Sequence, residues 1–121
     1  MLDPVSTPES RAELTQKLGT VALRSRRDGG VHVIELAGEV DIANAPEIEE
    51  ELKRVEATDA EAIIVDLSGL DFIDSSGLRL LVMANARSRA DSGRLTLLRP
   101  RDAIFRVFTM SGTAAVLPFA D

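Results

Sequence analysis

Ala62-Ile63-Ile64-Val65-Asp66-Leu67-Ser68-Gly69-Leu70-Asp71-Phe72-Ile73-Asp74-Ser75-Ser76-Gly77-Leu78 is the stretch on which the fold turns. Its first four residues are apolar, the composition of a central parallel strand covered on its faces. Residues 66–74 mix Asp, Ser and Gly with apolar residues and read as a loop. From Ser75 to about Ala90 the apolar positions return at helical spacing, so a helix is predicted there, opening on a serine pair. A strand that feeds a helix in this way is the repeating unit of α/β folds.

Working outward, Leu95–Leu98 reads as a further strand. Pro100 and Asp102 introduce a helix with Ile104, Val107 and Phe108 inward and Gly112 as its stop. Ala115–Phe119 reads as a last strand, placed on an edge by Pro118. Upstream, Ala45, Ile48, Leu52 and Val55 recur every three or four residues with Glu47, Glu49, Glu50 and Glu51 between them. That is an amphipathic helix, with Asn44 at its cap position. Val21–Arg27 and Val31–Ala37 flank Asp28-Gly29-Gly30 and are expected to pair antiparallel through a tight turn. Residues 1–19 read as an appendage with a short, loosely held helix, because Thr7-Pro8 resembles a helix start, Leu14 and Leu18 share a face and Gly19 suits its end. The expected division is therefore an appendage over 1–19 and one folded domain over 20–121. Strands and helices alternate from Val31 onward, which commits the chain to the α/β class with a mostly parallel or mixed sheet.

A length of 121 residues suits one domain with one core. Tyr and Trp are absent and aromatic residues make up 3%, so the core must be aliphatic and no aromatic platform exists for stacking bases. A net charge of -6 argues in the same direction, against nucleic acid as a partner. The charge is uneven: Glu39–Asp74 carries twelve acids against two bases, and Ser75–Asp121 seven bases against three acids. Most of these charges are expected on solvated helix faces. Without cysteine there is no disulfide framework, thiolate nucleophile or Cys-based metal site. No apolar stretch is long enough to insert into a membrane and the N-terminus lacks the pattern of a signal peptide, which makes cytoplasmic residence the default expectation.

The chemistry concentrates at Ser75. One reading is helix capping, in which Asp74, Ser75 or Ser76 accepts hydrogen bonds from N–H groups of the first turn. The other is phosphorylation, since the same N–H groups and the helix dipole favour an anion. A phosphate there adds roughly two negative charges at pH 7, beside Asp71, Asp74 and Asp41. The helix that follows has two apolar sides, Leu78, Leu81 and Val82 on one and Leu80 and Met83 on the other. Either neighbouring helices cover both, or Leu80 and Met83 form a docking stripe.

Gly38-Glu39-Val40-Asp41, Val65-Asp66-Leu67-Ser68, Phe72-Ile73-Asp74-Ser75-Ser76-Gly77-Leu78 and Met110-Ser111-Gly112 stand in the order and spacing of STAS domains, and the chain resembles the stand-alone anti-sigma factor antagonists of bacteria from about Val21 to Phe119. The resemblance implies a mixed sheet of four or five strands with helices packed mainly on one face. It also implies a partner-switching cycle in stress response and transcription regulation. The unmodified protein binds an anti-sigma factor that is also a serine kinase, and so releases the sigma factor. The kinase then uses ATP to phosphorylate the position matching Ser75, and a phosphatase of the metal-dependent type resets the switch. Carried over residue by residue, Asp41 and Asp74 flank the phosphoacceptor and Ser76 and Gly77 shape the helix start; Leu80 and Met83 complete the expected partner surface. No cofactor of its own is implied. Two features depart from the family: a helix usually follows the last strand, where this chain ends at Asp121, and Thr113 stands where an aliphatic residue is common. The N-terminal helix is expected to cover the surface that the missing helix would protect.

Catalytic readings fare worse. A serine hydrolase needs a base within reach of its serine, and His32, the single histidine, is expected on the surface of a strand far from Ser75. Asp66, Asp71 and Asp74 lack a calcium-loop pattern, so no metal site is expected. Within the same fold the alternatives are a scaffold in a stress-signalling assembly without a phospho-switch and an accessory subunit of a lipid ABC transporter.

Overall fold

In the computed structural model, which describes residues 13–120, five strands form one mixed sheet in the order β1-β2-β3-β4-β5. Strands β1 (Leu14–Leu18), β2 (Val21–Asp28) and β3 (Val31–Val40) are successively antiparallel, and β3, β4 (Ala62–Ile73) and β5 (Leu95–Leu98) are mutually parallel. Helix α1 (Ala45–Glu56) carries the chain from β3 to β4, and α2 (Ser75–Ala90) from β4 to β5. After β5 come α3 (Asp102–Ser111) and a 3₁₀ turn, Thr113–Ala115.

Alternation along the strands shows which face is covered. Leu23 and Ser25 of β2, His32, Ile34 and Leu36 of β3, Ile63, Val65 and Leu67 of β4 and Leu95 and Leu97 of β5 all point to one side and are buried, whereas Arg24, Val33, Ile64 and Thr96 between them retain exposure. Ile48, Leu52 and Val55 of α1 and Leu81 and Ala84 of α2 join that buried side in one aliphatic core. Burying each such Leu, Ile or Val stabilises by about 1.5–3 kcal/mol. The expected hairpin is present, its two-residue turn made possible by Gly29 at φ 61°.

Several expectations need correction. Leu14–Leu18 is a strand, paired with β2 from Leu14↔Ser25 to Leu18↔Val21, and not a helix. A spacing of four residues puts two leucines on one face in both structures, and the open edge of β2 supplies backbone partners that an isolated helix lacks. The sheet therefore begins before residue 20, and no helix of residues 14–18 exists to cover the rest; the expected helix start at Thr7-Pro8 lies outside the described residues. Residues 66–73 are not a loop but the second half of β4. Two bulges, between Glu35 and Ala37 and between Gly38 and Glu39 on the partner strand, let β4 carry extra residues. They change its buried spacing from two, at Ile63, Val65 and Leu67, to three, at Leu70 and Ile73, which hides a strand from periodicity. Ala115–Phe119 is not a strand: only Phe119 bridges to Leu97, held by edge-on packing of its ring against Phe105 and Phe108. Ile104 and Phe108 of α3 are buried as expected, but Val107 is exposed. Thr113 caps α3 by donating its hydroxyl to the Phe108 carbonyl (3.3 Å).

His32 is the largest departure, being buried rather than on the surface. Its Nε2 lies 2.6 Å from Oγ of Ser25, and the buried Glu51 carboxylate is near enough to act on its charge. Arg54 closes the chain with two bonds to Glu51, 2.8 Å and 2.6 Å. His32 is bonded to a serine while Glu51 is held by Arg54, which is not the arrangement of a hydrolytic triad, in which the acid holds the histidine. Burial, aided by the positive charges of Arg54 and Arg27 and opposed by Glu51, holds the His32 pKa below its ordinary 6.5. Burial pushes Glu51 up, but the hydrogen bonds from Arg54 and Ser25 and the charge of Arg54 outweigh it, and the net shift is below 4.5.

Because the unfolded chain takes up a proton at His32 near 6.5 while the folded chain stays neutral, stability should fall as the pH drops through 6.5 towards the folded value. The Glu51 contribution, fully present above 4.5, should be lost only at lower pH, as its depressed folded value is passed. Urea unfolding at stepped pH should show the midpoint falling between about pH 7 and pH 5 in the wild type and a flatter profile there in His32→Gln. Equal slopes would mean that His32 does not titrate on unfolding.

Candidate functional site

Strands β3 and β4 finish side by side, Val40 opposite Ile73, so the residues that follow them, Asp41 and Asp74, leave the same end of the sheet. Asp74 extends the ladder by donating its N–H to the Val40 carbonyl (3.1 Å). Its carboxylate then does two things. Oδ1 accepts from the N–H of Ser76 (2.9 Å) and of Gly77 (3.2 Å), capping α2, and Oδ2 accepts from the N–H of Ile42 (3.2 Å) in the loop after β3. Of the two readings the sequence left open for the first-turn donors, capping is therefore present, with Asp74 occupying two of them.

The facing loop is folded with equal economy. Asp41 Oδ1 accepts from the N–H groups of Ala43 (3.0 Å) and Asn44 (3.2 Å). Asn44 stands at the cap position of α1, but its side chain makes no capping bond and turns back. Its Oδ1 accepts from the Asp41 N–H at 2.9 Å, and its Nδ2 donates to the carbonyls of Glu39 (2.9 Å) and Leu18 (3.2 Å). A buried asparagine therefore ties the loop to the β1–β2 turn. Gly38, at φ 106°, allows the matching approach, since a Cβ there would collide with the Thr20 carbonyl.

The structure brings Asp41, Asp74, Ser75, Ser76 and Gly77 together. Ser75 is exposed at the first position of α2, whereas Gly77 is buried, and a Cβ on it would lie 2.5 Å from Ile73 Cγ1 and 2.8 Å from Val40 Cγ1. Gly77 thus seats α2 on the strand ends and offers no surface. Leu80 and Met83 do not form a common stripe: Leu80 is only 3% exposed, while Met83, about 12 Å further along the helix than Ser75 by its rise per residue, is 44% exposed. Sequence reasoning missed Ile42 and Phe72, large apolar residues 75% and 47% exposed on the chain leading into the site. Ile42 also borders a groove of ≈ 270 Å³ between the starts of α1 and α2, lined further by Ala45, Pro46, Glu49, Ser76, Arg79 and Leu80. Arg87 fastens these two helices, bonding Glu56 (2.8 Å) and Glu49 (2.8 Å). Among the described residues no cluster of His, Asp and Glu suits a metal ion, and no helix is long and apolar enough to cross a membrane.

Residues 22–121 match the model of the STAS domain, and the chain belongs to that family. It is similar to the anti-sigma-B factor antagonist of Listeria monocytogenes, 30% identical over 82 residues that cover 68% of this chain and 72% of that one. Among solved structures, an anti-sigma factor antagonist from Mycobacterium paratuberculosis superposes with a TM-score of 0.70 at 25% identity, covering 94% of this chain and 88% of that one. SpoIIAA, a Bacillus anti-sigma factor antagonist, has been solved in two states. The unphosphorylated form matches with a TM-score of 0.63 at 25% identity over 91% of this chain and 89% of its own, and the phosphorylated form with 0.58 at 25% identity over 91% and 92%.

Removing the Asp74 carboxylate deprives three N–H groups of their acceptor. Asp74→Ala should cost about 1–2 kcal/mol, as loss of an N-cap does, and lower the urea midpoint, with Asp74→Asn intermediate. An unchanged midpoint in Asp74→Ala would show that the cap does not hold α2.

Proposed function

We propose that this chain is a cytoplasmic anti-sigma factor antagonist that works by partner switching. Unphosphorylated, it binds an anti-sigma factor that is also a serine kinase, and the sigma factor is freed for transcription. The kinase transfers the γ-phosphoryl group of ATP to Oγ of Ser75, leaving ADP and the hydroxyl proton, and the complex separates. A metal-dependent serine phosphatase restores the hydroxyl. The chain contributes an acceptor and a surface, not catalysis, and needs no cofactor of its own.

The observation that carries this reading is Ser75, exposed at the first turn of α2, where its neighbour Ser76 shares a groove with the exposed apolar Ile42. A partner seated on Ile42 and that groove reaches the helix start at Ser75. A phosphate placed there brings roughly two negative charges next to Asp41 and Asp74. Burying them against an apolar surface costs several kcal/mol unless a cation pairs with them, and each 1.4 kcal/mol is a factor of about ten in affinity. The two solved states of SpoIIAA support the same reading.

Incubation with the cognate anti-sigma kinase and ATP, followed by mass spectrometry, should place one phosphate on Ser75 and none on Ser75→Ala. Calorimetry should find kinase binding weakened at least about tenfold in Ser75→Asp, while Ser75→Ala stays bound in the presence of ATP. Phosphate on Ser76, or none at all, would overturn the assignment.

A further inference from the structure

Arg79 lies one helical turn beyond Ser75, exposed at the rim of the groove between α1 and α2. At 100° and 1.5 Å per residue it sits 40° around α2 from Ser75 and about 6 Å along the axis, whereas Arg87 and Arg89, the other charged residues of the helix, lie about 18 Å and 21 Å along. Residues four apart on a helix are neighbours, and long side chains lean toward the N-terminus, so the turn that begins at Ser75 is within reach of the Arg79 guanidinium.

Its charge is also uncommitted: among the described residues Arg79 has no ion-pair or hydrogen-bond partner. The acids around it are engaged elsewhere. Glu49, across the groove, is bonded to Arg87 at 2.8 Å. Asp74 accepts from three N–H groups, Asp41 is turned into its own loop, and Asp71 faces Arg101 at 3.5 Å.

We infer that Arg79 is the intramolecular partner of a phosphate on Ser75, swinging from the groove rim onto the phosphate oxygens when the serine is modified. The inference rests on the reading of Ser75 as phosphoacceptor. It adds a second component to the switch: the phosphate repels a partner and at the same time withdraws a free cation from the rim of the groove. Guanidinium and phosphate suit each other, because two parallel N–H bonds can reach two oxygens.

The test installs phosphoserine at position 75 of the full chain by genetically encoded incorporation, so that no kinase is needed, and follows the ³¹P resonance through a pH titration. The second ionisation of the phosphate should fall lower in the wild type than in Arg79→Gln by about a quarter of a pH unit, because the dianion carries one more charge than the monoanion and gains the scale of one helical ion pair. Arg79→Lys, which keeps the charge but not the fork, should lie between them. Asp41, Asp71, Asp74 and Glu49 are common to all three proteins and cancel in the comparison. Coincident wild-type and Arg79→Gln curves would overturn the inference. Failure of the kinase to label Ser75 would instead overturn the phospho-switch and leave this titration unaffected.

Discussion

The parallel pairing of β3 with β4, carried through two bulges to a common end at Val40 and Ile73, is the constraint from which the site follows. Two parallel strands that end level release their chains at the same edge of the sheet, where ligand and partner sites of α/β folds collect. Here the two following residues are both aspartates, and each folds the chain after its own strand. Asp41 shapes the turn into α1, and Asp74 caps α2 while reaching across to Ile42. Shifting the pairing by one residue would turn every side chain of β4 to the other face and carry Asp74 away from that loop.

The aliphatic core gives this arrangement stability but little direction, because burial rewards area regardless of orientation. Direction comes from polar groups at the seams. Arg94 donates to the carbonyls of Glu56 (2.7 Å), Thr58 (3.2 Å) and Ala60 (2.7 Å), closing the C-terminal end of α1 against the chain that enters β4. Arg87 binds α1 to α2, and Asn44 binds the loop after β3 to the β1–β2 turn. Asn85 holds the segment after α3 through the Val116 carbonyl at 3.1 Å. Leaving any such partner unmatched in the interior costs more than the bond itself contributes, so these side chains specify one geometry. The outcome is a platform that holds the exposed Ser75 in one fixed setting.

Local chemistry is why much of this was legible in the chain. The helix from Ser75 to Ala90, the amphipathic helix from Ala45, the hairpin at Gly29-Gly30 and the strand Leu95–Leu98 depend on short-range periodicity and turn residues, and each stands where the sequence places it. The Asp-Ser-Ser-Gly run identifies its own helix start for the same reason: an aspartate cap and a glycine that must fit beneath a strand end are local requirements.

What periodicity could not decide were the features set by remote neighbours. Leu14 and Leu18 satisfy helix and strand alike, and the free edge of β2 chose strand. Bulges are a property of two paired strands together, so the second half of β4 looked like a loop when read alone. The burial of His32 depended on Ser25 and Glu51 arriving from β2 and α1, and the separation of Leu80 from Met83 on α1 covering one and leaving the other in water. Sequence alone therefore carried the elements and the serine motif, whose determinants lie within a turn or two of chain. Packing decided which groups face solvent and which charges stay free around Ser75, because burial and pairing are settled by residues that meet only once the sheet has closed over its helices.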